Sequence, residues 1–279
     1  MTTWDRDKVA SSINNLVDAD LKGLDLSGLN LDKANLISAI LTGANLKGIS
    51  LVGANLFSVK AMRADFSGAN LSGANLLKAN LTRTKLQESN FNDADMTGIN
   101  LSDADMRKAD LTRAKLVEAN LPGVDLTGAN LSEAKLTGRY QREGYFSRGA
   151  NLKKGVLVGA KMQYADASGT DMMETDCTDV DFTNANLSEA NFKHARLKSA
   201  CFMNTKLGDA DFRGAHIIDC DFSGAELIET KFHGVDLSSV KNISAEELQS
   251  SVIDSETKVP GYIEVKWTSE DTYECKLIY

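Results

Sequence analysis

The stretch from Ala64 to Leu81, ADFSGANLSGANLLKANL, writes five letters over and over: a small residue, Asn or Asp, a large apolar residue, then two polar or small ones. From Leu21 to Leu136 a large apolar residue falls on every fifth position, with Ala61 as the one exception. Five is neither a helical nor a strand period. On an α-helix successive leucines would be turned by about 500° and spread around the circumference, and on a flat strand they would alternate between opposite faces. The chain must bend once per repeat, so that every leucine returns to a common interior.

Each letter then has a physical reason. Burying a large side chain contributes roughly 1.5–3 kcal/mol by area. The residue two places earlier, mostly Ala, also points inward, where a bulky group would overfill a narrow tube. Between them Asn or Asp can hydrogen-bond nearby backbone and support the bend. Gly, Ser or Thr after the leucine tolerates the turn and faces water. One repeat cannot bury its own apolar face, so stability must come from stacked neighbours.

The A(N/D)Lxx pattern, in ANLSGANLLKANL and again in ANLSEANFKHARL, resembles the pentapeptide repeat proteins over about 18 to 238. The resemblance implies an all-β fold, a right-handed quadrilateral parallel β-helix with four repeats and twenty residues per coil. Coils at a sheet spacing of ~4.8 Å would build a rod on the order of 50 Å long. It also implies a second possibility for function, since some members of the family imitate DNA, bind DNA gyrase and protect it from quinolones or toxins, as dimers joined at their C-termini.

Solenoid tips expose core and strand edges and need covers. Val9, Ile13, Leu16 and Val17 recur at helical spacing, which predicts an N-terminal capping helix within 1–17. Ser244 to Glu247 form an SxxE capping box, with Ile243 and Leu248 placed as a hydrophobic staple and Val252 continuing the apolar face, so 241–260 reads as a C-terminal capping helix. Beyond Pro260, Ile263, Val265 and Trp267, then Tyr273, Cys275, Leu277 and Tyr279, alternate with Glu and Lys. This predicts a β-hairpin over 261–279, whose apolar face must lie on the protein's own cap, on a partner, or on a second copy as a homodimer.

The register breaks once, between Leu136 and Leu152. The segment GRYQREGYFSRG would place Arg139 and Gln141 inward if the pattern continued. A loop over 139–149 is expected, dividing the β-helix into 18–138 and 150–240. Its Arg139, Tyr140, Arg142, Tyr145, Phe146 and Arg148 are basic and aromatic on a chain poor in aromatics, and Tyr and Arg are favoured interface anchors. They are candidate partner-binding residues, against the alternative of an insertion that folds onto the rod wall.

Residues twenty apart should stack in columns. One outward column reads Ile37, Phe57, Leu77, Thr97, Val117, Thr137, and its apolar members Ile37, Phe57, Leu77 and Val117 are candidate contacts, or residues that merely strengthen the ladder. In the second half Lys153, Lys193 and Arg213 share a column with Met173 and His233, while Glu189, Asp209 and Glu229 share another. Solvated faces are the simpler reading of both.

Composition narrows the function. The net charge is −8, yet 18–138 carries 14 acids against 13 bases, so the excess lies in the second half and tail. No basic stripe points to direct nucleic-acid binding. Four cysteines without a CxxC pair favour reduced thiols, and the charged, polar N-terminus and lack of a membrane-length apolar run favour a soluble cytoplasmic protein. His194, His216 and His233 have no ligand spacing, so no metal is expected, and no nucleophile with a base or phosphate loop points to an enzyme or a cofactor. The expectation is an interaction scaffold for a protein partner, with a gyrase-binding DNA mimic as the alternative.

Overall fold

Each repeat closes as a β-turn. The N–H of the small residue reaches back to the carbonyl of the large residue three places before it, as from Ala34 to Leu31 and from Ala54 to Leu51, both at 3.0 Å. The second central residue of the turn is left-handed at every repeat from Asp18 to Glu133 and from Lys154 to Gly234, with φ between 53° and 72°. Positive φ at that position is the mark of a type II turn. Gly fills it in many repeats, but Lys, Arg, Glu and even Tyr164 fill it in others, at a cost of roughly 1–2 kcal/mol each for a side chain held in the left-handed region.

What holds these turns is the next coil. Leu21 donates its N–H to the carbonyl of Ile40 (2.8 Å), and Ile40 donates its own to the carbonyl of Ala19 (2.9 Å). The same parallel bridge recurs from Asp20 to Ile40, Lys60, Asn80, Asn100 and Asn120. Three further ladders start at Asp25, Asn30 and Asn35, so each coil of twenty residues has four sides. The computed structural model describes residues 4–138, 149–269 and 272–278.

The inward residues form one continuous core along the tube, and Leu21, Leu41, Leu81 and Leu101 are fully buried on one side. Toward the C-terminus leucine gives way to phenylalanine on two opposite sides. Phe182, Phe202 and Phe222 stack at 5.2 and 4.9 Å, and Phe192, Phe212 and Phe232 at 4.8 and 5.2 Å. The two piles meet edge-on across the tube at about 6 Å, as between Phe182 and Phe192 at 5.9 Å. Stacked and T-shaped contacts are both favourable aromatic geometries, so the coil spacing suits phenylalanine as well as leucine.

Small hydroxyl residues at the inward position before the Asn/Asp bond carbonyls within the wall. Thr230 Oγ1 donates to the Leu207 carbonyl at 2.8 Å and Thr205 Oγ1 to that of Phe182 at 2.8 Å. Thr170 is fully buried and its hydroxyl has no partner.

The ladders jump from Asn120 to Asn151, Asp125 to Val156, Asn130 to Lys161 and Lys135 to Asp166. One coil therefore holds 31 residues, eleven more than the twenty of its neighbours. The candidate residues Arg139, Tyr140, Arg142, Tyr145, Phe146 and Arg148 lie outside the described residues. At the return point Gly149 passes so close to the next coil that a Cβ would meet the Ser168 carbonyl and the Thr170 nitrogen at 2.8 Å. Ala150 then takes up the turn bond to Leu136.

Both end helices are shorter than the sequence pattern predicts. The first, α1 (Arg6–Ser11), is N-capped by Asp5, whose carboxylate accepts from Lys8 N–H. Leu16 is not on it. It lies five residues before Leu21, is fully buried, and donates its N–H to the Asn35 carbonyl, so the β-helix begins before residue 18. Val17 is exposed at the first corner. Arg6 replaces a missing coil there, donating to the carbonyls of Asp25 (3.3 Å) and Ser27 (2.6 Å).

Farther along, β1 (Arg196–Lys198) and β2 (His216–Ile218) are neighbouring parallel segments of one ladder. The second helix, α2 (Ala245–Ser250), carries the expected capping box, with Ser244 and Glu247 each accepting the other's N–H at 3.0 and 2.7 Å. Ile243 and Leu248 are buried. The helix then stops, and Val252 pairs with Lys231 and Lys258 with Asp236, so the chain rejoins the ladders instead of continuing as helix to 260. The hairpin of β3 (Ile263–Trp267) and β4 (Tyr273–Leu277) follows, antiparallel with Val265 opposite Cys275. Its Val265, Trp267, Tyr273 and Cys275 pack against the core, and Tyr273 Oη donates to the Ser251 carbonyl at 2.5 Å, so its apolar face rests on the protein's own cap.

Two stability predictions follow from the wall. Thr170→Val removes an unpartnered buried hydroxyl and should stabilise by about 1–3 kcal/mol, whereas Thr230→Val should destabilise by about 0.5–1.5 kcal/mol, as read by thermal denaturation. Gly43→Ala, at φ 68° with no atom within 4 Å of the added Cβ, should cost about 1 kcal/mol from backbone conformation alone, after allowing for the entropy of the unfolded glycine.

Candidate interaction surfaces

The wall uses up most of its own polarity. Asn and Asp before each large residue accept the N–H two places on, as Asn30 Oδ1 does from Asp32 (2.9 Å) and Asp125 Oδ1 from Thr127 (3.0 Å). Several also bond the same position of the next coil, as Asn75 Nδ2 does to Asn55 Oδ1 at 3.3 Å and Asn191 Nδ2 to Asp171 Oδ1 at 3.0 Å. These carboxylates and amides have a structural task. Coil-to-coil ion pairs absorb further charge in the first half: Arg83 meets Asp103 at 3.3 Å and Arg113 meets Asp93 at 2.8 Å.

The basic column of the second half is braced in the same way. Lys193 and Arg213 both bond Asp211, at 3.0 and 2.7 Å, and Lys153 lies 3.9 Å from Glu174. The Asp211 side chain is only 14% exposed. Burial opposes its ionisation, but hydrogen bonds from Arg213 and Lys193 outweigh burial and hold its carboxyl at about 2. Glu189, Asp209 and Glu229 are exposed and make no ion pair among the described residues.

The apolar column is half-buried. Ile37, Phe57, Leu77 and Val117 each leave part of the side chain accessible, and Thr97 is buried among them. Their carbonyls accept the N–H groups of the coil before, as Phe57 does from Ser38 (2.9 Å) and Leu77 from Ser58 (3.0 Å). The column runs up to Thr137, just before the eleven extra residues of the long coil.

Other outward apolar residues were not singled out by the sequence. Tyr164 is 64% exposed on a left-handed turn position, and Ile228 is 63% exposed at the same corner as the apolar column, above the insertion. Column arithmetic would have located both, as bulky side chains at turn positions that elsewhere carry small or charged ones.

Burial pushes the Cys177 and Cys220 thiols up to about 12, with Cys220 also donating to the Leu197 carbonyl, so neither supplies a thiolate near neutral pH. All four cysteines are free. A surface groove of about 270 Å³ is lined by Thr42, Met62, Arg63, Thr82 and Arg83. Among the described residues no helix is long and apolar enough to cross a membrane.

Family models decide the class. The model described as pentapeptide repeats matches residues 15–53, 64–103, 104–138 and 148–176 in eight copies, and that of a pentapeptide repeat region matches 175–249. The chain belongs to the pentapeptide repeat family. The interruption between the two matches at 138 and 148 coincides with the long coil.

Solved pentapeptide repeat proteins, which form right-handed β-helices, resemble it. HetL, involved in heterocyst differentiation regulation in the cyanobacterium Nostoc sp. strain PCC 7120, is 23% identical over 82% of this chain and 97% of its own, with a TM-score of 0.36. Full-length QnrB1, a plasmid-mediated fluoroquinolone resistance protein, is 18% identical over 84% of this chain and 93% of its own, with a TM-score of 0.31. A pentapeptide repeat protein of the Arabidopsis thaliana thylakoid lumen is 29% identical over 44% of this chain and 69% of its own, with a TM-score of 0.15. No curated protein matches the chain.

Because the Asp211 carboxyl is depressed in the folded state, its stabilisation is complete above the ordinary carboxylate range and is lost as pH falls from about 4 toward 2. Asp211→Asn should flatten the acid limb of a melting-temperature-against-pH profile in that window. An unchanged slope would show that the pairing carries no stability.

Proposed function

We propose that this pentapeptide repeat protein is a non-enzymatic scaffold, a stiff rod that binds a protein partner along one corner. The candidate contacts are Ile37, Phe57, Leu77 and Val117, together with Arg139, Tyr140, Arg142, Tyr145, Phe146 and Arg148 of the insertion. The observation that carries this reading is that the apolar column runs up to Thr137, just before the eleven extra residues of the long coil. Aromatic and arginine side chains beside accessible apolar surface are the composition of an interface centre. Four free thiols accord with a reducing compartment such as the cytoplasm. Direct nucleic-acid binding, a cofactor and a metal have no part in the reading.

A DNA-mimicking, gyrase-binding role is the second reading, and one observation favours it. Glu189, Asp209 and Glu229 form an exposed acidic column without ion pairs among the described residues. Against it, many remaining carboxylates are committed to turns or to coil-to-coil pairs.

Deleting residues 139–149 restores a twenty-residue coil and should leave the fold intact by circular dichroism. A partner recovered on the intact protein should be lost on the deletion and on Phe57→Ser with Leu77→Ser, and direct titration of that purified partner should show the same loss. Equal binding by all three proteins would remove this corner as the site. In a supercoiling assay the protein should leave DNA gyrase as sensitive to ciprofloxacin as before; protection that weakens with rising salt would instead favour the mimic.

A further inference from the structure

One rung is missing from the wall. On the ladder begun at Asp25, His216 of β2 donates its N–H to the Ala195 carbonyl (2.9 Å) of the coil before. Farther on, Leu237 donates to the Lys258 carbonyl (2.7 Å) and Lys258 to that of Val235 (3.0 Å). Between these two joints the regular pattern would link the Ile217 N–H to the Asp236 carbonyl and the Asp236 N–H to the Ala215 carbonyl. Among the described residues none of those four backbone groups has a hydrogen-bond partner, and His216 and Asp236 form no bridge. The coils are parted at this point: Ala215 and Ile217 are 8% and 4% exposed, whereas Ala195 and Leu197, at the same inward positions one coil earlier, are fully buried. A groove of about 290 Å³ opens over them, rimmed by His216, Asp236, Ser238 and Ser239.

Across the parting each donor faces an acceptor, so an atom lying between them has to accept from one lip and donate to the other. A carboxylate only accepts, and an ammonium or guanidinium only donates; a hydroxyl does both. The protein already places one hydroxyl in this seam. At the next position along, Asp219 donates its N–H to Ser239 Oγ (3.1 Å), where one coil earlier Ser199 donates to a backbone carbonyl, that of Ile218 (2.8 Å). We propose that the groove is a binding site for a small polyol or monosaccharide, two of whose hydroxyls complete the missing rung between Ile217, Asp236 and Ala215. The accessible carbons of Ala215 and Ile217 give the ligand's C–H groups an apolar floor, and a few placed polar groups over such a floor are the usual make-up of a small-molecule site.

This goes beyond the scaffold reading and does not rest on it: the groove lies on the ladder begun at Asp25, whereas the apolar column follows the one begun at Asn35. Amide hydrogen exchange of the full chain, resolved by NMR, should find Ile217 and Asp236 exchanging about tenfold or more faster than His216 and Leu237. Titration with glycerol, D-ribose and D-glucose should shift the Ile217 and Asp236 amides saturably for at least one of the three, with a millimolar dissociation constant, and slow their exchange. Sodium acetate and ammonium chloride at equal concentration should shift neither amide. Ser238→Tyr, which sets a ring on the rim of the groove, should weaken binding by about tenfold or more while leaving the rest of the spectrum in place.

Exchange at Ile217 and Asp236 as slow as at His216 and Leu237 overturns the proposal, because the rung is then formed. So does the absence of saturable shifts with all three polyols, which leaves the groove to water alone, or an equal response to acetate. If Ser238→Tyr disturbs the fold, the comparison of probes decides alone.

Discussion

Everything in this molecule depends on a turn through the left-handed region at every fifth residue. Left to itself such a turn is costly for any residue but glycine, and a lone repeat would not hold it. The coil above makes it tenable, because the N–H of the strained residue donates to a carbonyl nineteen residues on, as Ser38 does to Phe57. Strain within a coil and hydrogen bonding between coils are therefore two sides of one arrangement. Neither exists without at least one neighbour, which is why α1 and α2 lie at the ends.

The ends show what an unfinished ladder requires. Arg6 lends a guanidinium to the carbonyls of Asp25 and Ser27, and Gln249 lends an amide to the edge of β4. In both places a side chain imitates the backbone of an absent strand.

Much of this was legible in the sequence, because a period of five with one large residue per repeat admits few solutions. The columns, the break at 139–149 and the alternation of the hairpin all follow from counting. The helix lengths did not. Leu16 satisfies both a helical spacing from Val9 and Ile13 and the five-residue spacing to Leu21, and burial in the tube won. The start of α2 is written locally in Ser244 and Glu247, but its stop is set by the pairing of Val252 with Lys231, a contact between distant residues. The Gln249 bridge and the orphaned Thr170 hydroxyl were equally out of reach, since both depend on which backbone groups meet in space.

The 31-residue coil has an implication for how such a chain changes over time. All four ladders resume on the far side of the insertion with the same faces and the same inward residues, so the core does not register that anything was added. A corner of this rod is a place where new sequence can be grafted without renegotiating the interior. Binding specificity in such an architecture can be acquired one loop at a time, on a body that stays as it was.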